Sequence, residues 1–171
     1  RGLAGCGVGD IHKTTAVLCL DAGTGEHRWR YPTECPVWGR PLVTGGSVFV
    51  GVGNGRLNEV AANPAGAVVC LDAKNGAEVW KKAMPDGVLS RLTADRYPLY
   101  FGCRDGSVYA LSRKDGAQAW RFDLGAPVVG DVLLDRAEGR LYAQSIAGSV
   151  TASDAATGKP VWELNLEERA K

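Results

Sequence analysis

One phrase recurs four times in this chain: an apolar strand-like run, a short turn that ends in Gly, and a Trp four residues after that Gly. The repeated residues are Trp29, Trp80, Trp120 and Trp162, so successive Trp residues are 51, 40 and 42 positions apart. A sustained period near 40 residues with strand-like content is typical of stacked or radial β architectures. The repeat therefore constrains the fold more than any single motif does.

The second copy shows the plan of one repeat. Strand-like segments occupy residues 40–44, 47–52, 67–72 and 78–81, and Gly-rich turns separate them. The segments are rich in β-branched and aromatic residues, which favour strands. Asn75-Gly76 predicts a tight primed hairpin turn between the third and fourth segments, because Asn and Gly tolerate a positive φ. We therefore expect an all-β fold of four-stranded antiparallel sheets.

Repeated four-stranded sheets favour a β-propeller, because one such sheet cannot bury both of its faces and must pack radially on its neighbours. We expect one partial propeller over residues 1–171, with about three and a half blades: a partial first blade at 1–34, then blades at 35–84, 85–124 and 125–171. The first blade is expected to begin inside its second strand, near residues 5–8. Each repeated Trp is predicted to lie between two blades, since its ring can bury roughly 150–250 Å² there.

Charge and hydropathy exclude two broad classes of function. The chain has 20 basic and 19 acidic residues, a net charge of +1, and no run of five like charges. A nucleic-acid-binding surface would need a basic excess that this sequence lacks. No apolar stretch is long enough for a membrane span. We therefore expect no nucleic-acid partner and no direct membrane span.

The five Cys residues are odd in number and include no Cys-x-x-Cys pair, so the sequence favours neither a full disulfide framework nor a zinc site. Cys19 and Cys70 occupy the repeat position that carries Ala110 and Ala152 in the other copies. A position filled by Cys or Ala requires a small packing residue. Cys103 is expected to pack in the same way, whereas Cys6 and Cys35 stay open.

Candidate binding residues gather on one face of the expected propeller. The loops between an outer strand and the next inner strand, and between second and third strands, share this face, and the second copy carries an insertion there at 54–64. Loops on a rigid scaffold are common binding sites. We expect ligand or partner contacts from Trp38, Arg40, Arg91 and Asp131 at the starts of inner strands, and from His12, Arg56, Asn58 and Glu59 in the loops.

The three charged residues among these also allow a simpler interpretation. In this interpretation Arg40, Arg91 and Asp131 are solvated charges that pair across blades at the mouth of a channel. The competing interpretation is a site for a small anionic ligand or an acidic segment of a partner, because the planar guanidinium of Arg donates two parallel hydrogen bonds to a carboxylate. No catalytic triad, carboxylate pair or phosphate-binding loop is evident, so no catalytic residue and no metal ligand are predicted.

The repeated phrase resembles the blade-closing motif of the pyrroloquinoline quinone (PQQ) dehydrogenase type, Ala-x-Asp-x-x-Thr-Gly-x-x-x-Trp. Residues 19–29, 70–80 and 152–162 follow this motif closely. The third copy, 110–120, departs from it most, with Ser112 in place of Asp and Asp115 in place of Thr. The resemblance covers nearly the whole chain. It implies a ring of seven or eight blades in which each motif Trp docks one blade on the next.

The same resemblance implies two classes of function. One is a non-catalytic binding or scaffold module, extracytoplasmic in a bacterium, whose partner is another protein or the remaining blades of the same propeller. The alternative is a fragment of a PQQ-dependent quinoprotein dehydrogenase that holds PQQ and calcium in its channel. Many such enzymes have an adjacent Cys pair, which is absent here, and no calcium-binding constellation stands out among Asp10, Asn54, Asn58, Glu59 and Asp131. We therefore expect the module, with no cofactor.

Overall fold

The structure is a computed structural model that describes residues 3–4, 15–55, 59, 61–96 and 98–166. The strands of this part form four antiparallel sheets, and within each sheet the strands pair in sequence order. The first sheet has three strands, β1 (Leu3–Ala4), β2 (Ala16–Asp21) and β3 (His27–Pro32). The second has four, β4 (Leu42–Thr44), β5 (Ser47–Gly53), β6 (Gly66–Asp72) and β7 (Glu78–Met84).

The third and fourth sheets repeat this four-stranded plan. The third contains β8 (Thr93–Ala94), β9 (Pro98–Gly102), β10 (Ser107–Ser112) and β11 (Gln118–Asp123). The fourth contains β12 (Leu133–Asp135), β13 (Arg140–Gln144), β14 (Ser149–Asp154) and β15 (Pro160–Asn165). The expected all-β fold of four-stranded antiparallel blades is therefore confirmed. The expected start of the first blade at residues 5–8 lies outside the described residues.

Strand lengths follow from what each strand packs against. The inner strand of the second blade spans Leu42–Thr44 and is shorter than the expected segment 40–44. The outer strand spans Glu78–Met84 and is longer than the expected segment 78–81. The two middle strands, β5 and β6, are buried along almost their whole length. The outer strand β7 is mostly exposed, so its bounds are set by pairing with β6 more than by its own apolar residues.

The hydrophobic core lies between the blades. Phe49 and Val68 of the second blade pack with Leu99 and Phe101 of the third in one buried cluster. Similar clusters join the first blade to the second and the third to the fourth. Because each sheet buries its faces only against its neighbours, the stability of every blade depends on the adjacent blade.

The turn between β6 and β7 corrects the expectation of a primed hairpin. Among the described non-Gly residues none has a positive φ, so Asn75 is not in the left-handed region, and only Gly76 is, at φ 74°. The Gly76 N–H donates to the Asp72 carbonyl, and the Asp72 carboxylate accepts the N–H groups of Lys74 and Asn75. The prediction of a two-residue turn was wrong because the Asp side chain caps a wider loop, 73–77, before the strand resumes.

Three of the four repeated Trp residues make the same contact with the next blade. The indole N–H of Trp29 donates to the Ala73 carbonyl at 3.2 Å, and that of Trp80 donates to the Arg113 carbonyl at 3.1 Å. Trp120 donates to the Ala155 carbonyl at 3.2 Å. The fourth residue, Trp162, is 44% exposed. These Trp hydrogen bonds therefore join each of the first three blades to the blade that follows it in the chain.

Each of these Trp rings also covers the turn Gly of the following blade. A Cβ added to Gly116 would lie 2.8 Å from Cε3 of Trp80, and equivalent positions on Gly76 and Gly158 would lie 2.6 Å from a Trp ring. The equivalent Gly25 of the first blade has a similar φ, 74°, but no atom within 4 Å of its Cβ position. These turns thus differ in the ring that packs on them and not in their backbone conformation.

This difference gives a matched pair of substitutions. Gly116→Ala and Gly25→Ala both place a side chain at positive φ, which costs roughly 1–2 kcal/mol. Gly116→Ala should cost a further 1–3 kcal/mol, approximately, because the methyl group displaces the Trp80 ring. Urea unfolding of the 171-residue chain measures both losses. Equal losses would show that packing of Trp80 on the next turn does not stabilise the blades.

Candidate functional site

The segments that enter the inner strands hold successive blades together on one face. The Gly53 N–H donates to the Pro36 carbonyl within the second blade, and the Val88 N–H donates to the Val52 carbonyl of the blade before it. The Val128 N–H bonds to the Cys103 carbonyl in the same way. Each entering segment after the first blade is therefore fixed to two sheets, and the residues that follow it have defined positions.

Arg40, Arg91 and Asp131 are equivalent in this arrangement, since each precedes the inner strand of its blade by two residues. All three side chains are exposed. The Asp131 carboxylate accepts a hydrogen bond from the backbone N–H of Arg91 at 2.8 Å, which joins the third and fourth blades. We call these three residues the channel-mouth row.

The second and third blades approach closely beside this row. A Cβ on Gly39 would lie 2.6 Å from the Ser90 carbonyl oxygen, so only Gly permits the contact that places Arg40 next to Arg91. Between described residues, no ion pair involves the guanidinium of Arg40 or Arg91. The row therefore presents two adjacent exposed cations, followed by a carboxylate that is already bound to a backbone N–H.

Of the other predicted site residues, the structure describes Trp38 and Glu59. Trp38 is half-buried, and its indole N–H donates to the Gly53 carbonyl at 3.0 Å, so its ring is held against the end of β5. Glu59 is exposed. His12, Arg56 and Asn58 lie outside the described residues, and their predicted contacts stay predictions.

Asn54 closes the neck of the inserted loop, a role that the sequence reasoning missed. Its side-chain amide donates to the Asn63 carbonyl at 2.7 Å, and its side-chain oxygen accepts the Ala65 N–H at 2.9 Å. Its backbone N–H also bonds to the Ala65 carbonyl. The insertion is therefore anchored where it leaves the sheet. The signal in the sequence was Asn54-Gly55 directly before the insertion.

A buried charged pair lies beneath this neck and was also missed. Arg104 is only 5% exposed, and its Nε lies 3.6 Å from the Asp86 carboxylate. A Cβ on Gly55 would lie 3.1 Å from Cδ of Arg104, so the neck packs directly on this side chain. Burying a charge is unfavourable unless it is paired. In the repeat, Arg104 takes a position filled by Gly53 and Ile146, and this departure could have identified it.

Two of the oxygen-bearing residues considered for calcium have hydrogen-bond partners in the structure, since Asn54 holds the loop neck and Asp131 accepts the Arg91 N–H. Within the described part of the chain, no group of three or more His, Cys, Asp or Glu residues could hold a metal ion. The same part contains no helix that is long and apolar enough to span a membrane.

The fold and the docked motifs define a propeller protein with PQQ-like blades. The chain belongs to the family described as outer membrane protein assembly factor BamB, which matches residues 11–64 and 64–171.

Two curated relatives and one solved structure illustrate this family relationship. A quinohemoprotein alcohol dehydrogenase from Pseudomonas putida is 27% identical over 80% of this chain and 21% of its own length. An outer membrane protein assembly factor from Burkholderia pseudomallei is 25% identical over 71% of this chain and 28% of its own length. The crystal structure of BamB from Moraxella catarrhalis matches 95% of this chain and 48% of that chain, with a TM-score of 0.70 and 18% identity, and supports the fold alone. The chain thus spans less than a third of these two curated relatives.

The Cys residues separate into two environments. Cys19, Cys70 and Cys103 are buried and free, as packing positions should be, and burial raises the pKa of the Cys103 thiol to about 12. The Cys103 thiol donates to the Asp86 carbonyl. Cys35 is free and half-buried, and it lines a surface cavity of about 300 Å³.

Cys35 should therefore react before Cys103 with iodoacetamide at pH 8. Only the thiolate is nucleophilic, and burial disfavours the thiolate and also blocks access, so we expect alkylation of Cys103 to be slower by roughly tenfold or more. Peptide mass spectrometry of samples quenched at increasing times measures both rates. Comparable rates in the folded protein would contradict the buried placement of Cys103, and urea should remove the difference.

Proposed function

We propose that this chain is a non-catalytic, extracytoplasmic binding module whose channel-mouth row holds an acidic segment of another protein. The observation that carries the proposal is the pair of exposed cations, Arg40 and Arg91, at equivalent positions on adjacent blades. Neither guanidinium is paired with a carboxylate of the described residues. A partner carboxylate could therefore approach them without displacing one.

The chemistry of the row suits a protein ligand. Guanidinium groups bind carboxylates in a bidentate, planar geometry, which selects for orientation as well as charge. Exposed charges contribute more to specificity and association rate than to affinity. Trp38 is half-buried beside the row, and Trp and Arg are the residues most often found at the energetic centre of protein interfaces.

The relatives support the coarse part of this proposal. The family and the Burkholderia pseudomallei relative are named as factors of outer membrane protein assembly, a role that depends on contact with other proteins. The extracytoplasmic location is proposed on the same basis. Because the chain spans under a third of these relatives, the partner and activity of the whole protein are part of the proposal.

Site-specific crosslinking tests the row in cells that express the full natural protein. A photoreactive residue at Arg91 should form a discrete adduct with another polypeptide, and one at Arg30, which is exposed on the outer strand β3, should not. Arg40→Glu combined with a crosslinker at Arg91 should lower the adduct yield about tenfold, because the reversed charge repels an acidic segment. Arg30→Glu is the matched control and should leave the yield unchanged.

Two results would contradict the proposal. Equal adducts from Arg91 and Arg30 would show that the row has no special role. The other is saturable binding of PQQ in the presence of calcium, followed by absorbance, without any polypeptide adduct at Arg91. That outcome would favour the quinoprotein alternative.

A further inference from the structure

The third blade departs from the repeat at the turn between its last two strands. In the other three blades an Asp carboxylate caps this turn by accepting two backbone N–H groups, at 2.8 and 3.0 Å for Asp21. Asp72 and Asp154 do the same in their own turns. The third blade has Ser112 instead, whose hydroxyl oxygen accepts one N–H, that of Lys114, at 3.3 Å.

The residue that follows the capping position also differs in the third blade. Ala73 and Ala155 follow the capping Asp in the second and fourth blades, whereas Arg113 follows Ser112 in the third. The third turn therefore gains the positive charge of Arg113, while its carboxylate moves from the capping position to Asp115, where the other blades have Thr or Asn. Nothing in the docking of Trp80 requires this change, because the indole bonds to a backbone carbonyl that Ala provides equally well.

The altered turn borders a surface cavity of about 390 Å³ between the second and third blades. Among the described residues, its lining contains three cationic side chains and no carboxylate. These residues are Ser47, Phe49, Arg96, Pro98, Ser112, Arg113, Lys114 and Ala119. The cavity lies at the opposite ends of the strands from the channel-mouth row, because it includes the start of β5 and the end of β10.

Arg113 is fixed in this cavity by uncharged oxygen atoms. Its Nη1 donates to the carbonyls of Asp95 and Arg96 at 3.3 and 3.1 Å, and its guanidinium carbon lies 5.7 Å from the centroid of the Phe49 ring. Its Nη2 reaches the Thr44 hydroxyl at 3.5 Å. These partners orient the guanidinium without neutralising its charge.

The nearest carboxylates already have partners. Asp95 lies 3.9 Å from Arg136. Asp115 accepts the Ala117 N–H and a hydrogen bond from the Ser112 hydroxyl, which lowers the pKa of the Asp115 carboxyl. Among the ion pairs of the described residues, none includes Arg96, Arg113 or Lys114. The three cations therefore create a local positive potential in a concave site, which favours an anion.

We propose that this cavity binds a small organic carboxylate with an apolar body. The carboxylate would lie among the cationic side chains of Arg96, Arg113 and Lys114. The apolar body would pack on Pro98 and Ala119, with Phe49 at the base. A cavity of this size matches the lower range of small-molecule sites, which are mostly apolar with a few polar groups that set orientation.

Titration with benzoate tests the proposal on the full natural protein, by calorimetry and by NMR. The wild type should bind benzoate saturably, and Ser112→Asp should weaken binding at least about tenfold, because the new carboxylate restores the cap and repels the ligand. The other three blades fold with Asp at this position, so the variant is expected to fold, and a thermal melt checks this. Arg96→Gln combined with Lys114→Gln should weaken binding similarly.

Ala156→Asp is the matched control, since it adds one negative charge to the exposed turn of the fourth blade and should leave benzoate affinity unchanged. The proposal is overturned if the wild type shows no saturation up to about 10 mM benzoate, a range that detects a Kd near 1 mM. It is also overturned if folded Ser112→Asp binds as well as the wild type. If inorganic phosphate binds as tightly as benzoate, the proposal that the ligand has an apolar body is wrong. None of these outcomes bears on crosslinking at Arg91.

Discussion

The contact between a Trp ring and the Gly turn of the next blade is the interaction on which the rest of the structure depends. No sheet here can bury both faces alone, so each blade is stable only as part of a stack. The indole meets two needs in one residue, because its ring covers the turn and its N–H satisfies a backbone carbonyl. Gly116 shows the constraint from the other side: a side chain at that position would enter the Trp80 ring.

Regular docking places equivalent residues of successive blades side by side, and this is how the channel-mouth row arises. Arg40, Arg91 and Asp131 are far apart in sequence, yet each follows a segment that is hydrogen-bonded to the sheets on both sides. A rigid scaffold of this kind lets exposed loops vary without altering the core. The anchored insertion beside the row, closed by Asn54 over the buried pair of Arg104 and Asp86, varies the second blade in this manner.

The candidate binding sites lie where the sequence departs from the repeat. On one face the insertion and the row break the pattern, and on the other face the third turn exchanges an Asp-Ala pair for Ser112 and Arg113. The core shows the opposite behaviour, since Cys19 and Cys70 fill positions that Ala fills elsewhere and remain buried. In a repeat protein, the equivalent positions of the other blades serve as a comparison. A position is a candidate for binding when its charge differs from that of its equivalents.

The sequence by itself determined the fold class, the period and the identity of the docking residues, because strand content, turn glycines and Trp spacing are local properties that repeat. It also predicted Arg40, Arg91 and Asp131 at the starts of inner strands, whereas each of these strands begins two residues later in the structure. Only the tertiary structure decided that Asn75 adopts no positive φ, since the capping by Asp72 widened that turn. The pairing of Arg104 with Asp86 and the cation cluster around Arg113 likewise join segments that are distant in the chain. Their proximity follows from how blades pack on one another, which no local pattern encodes.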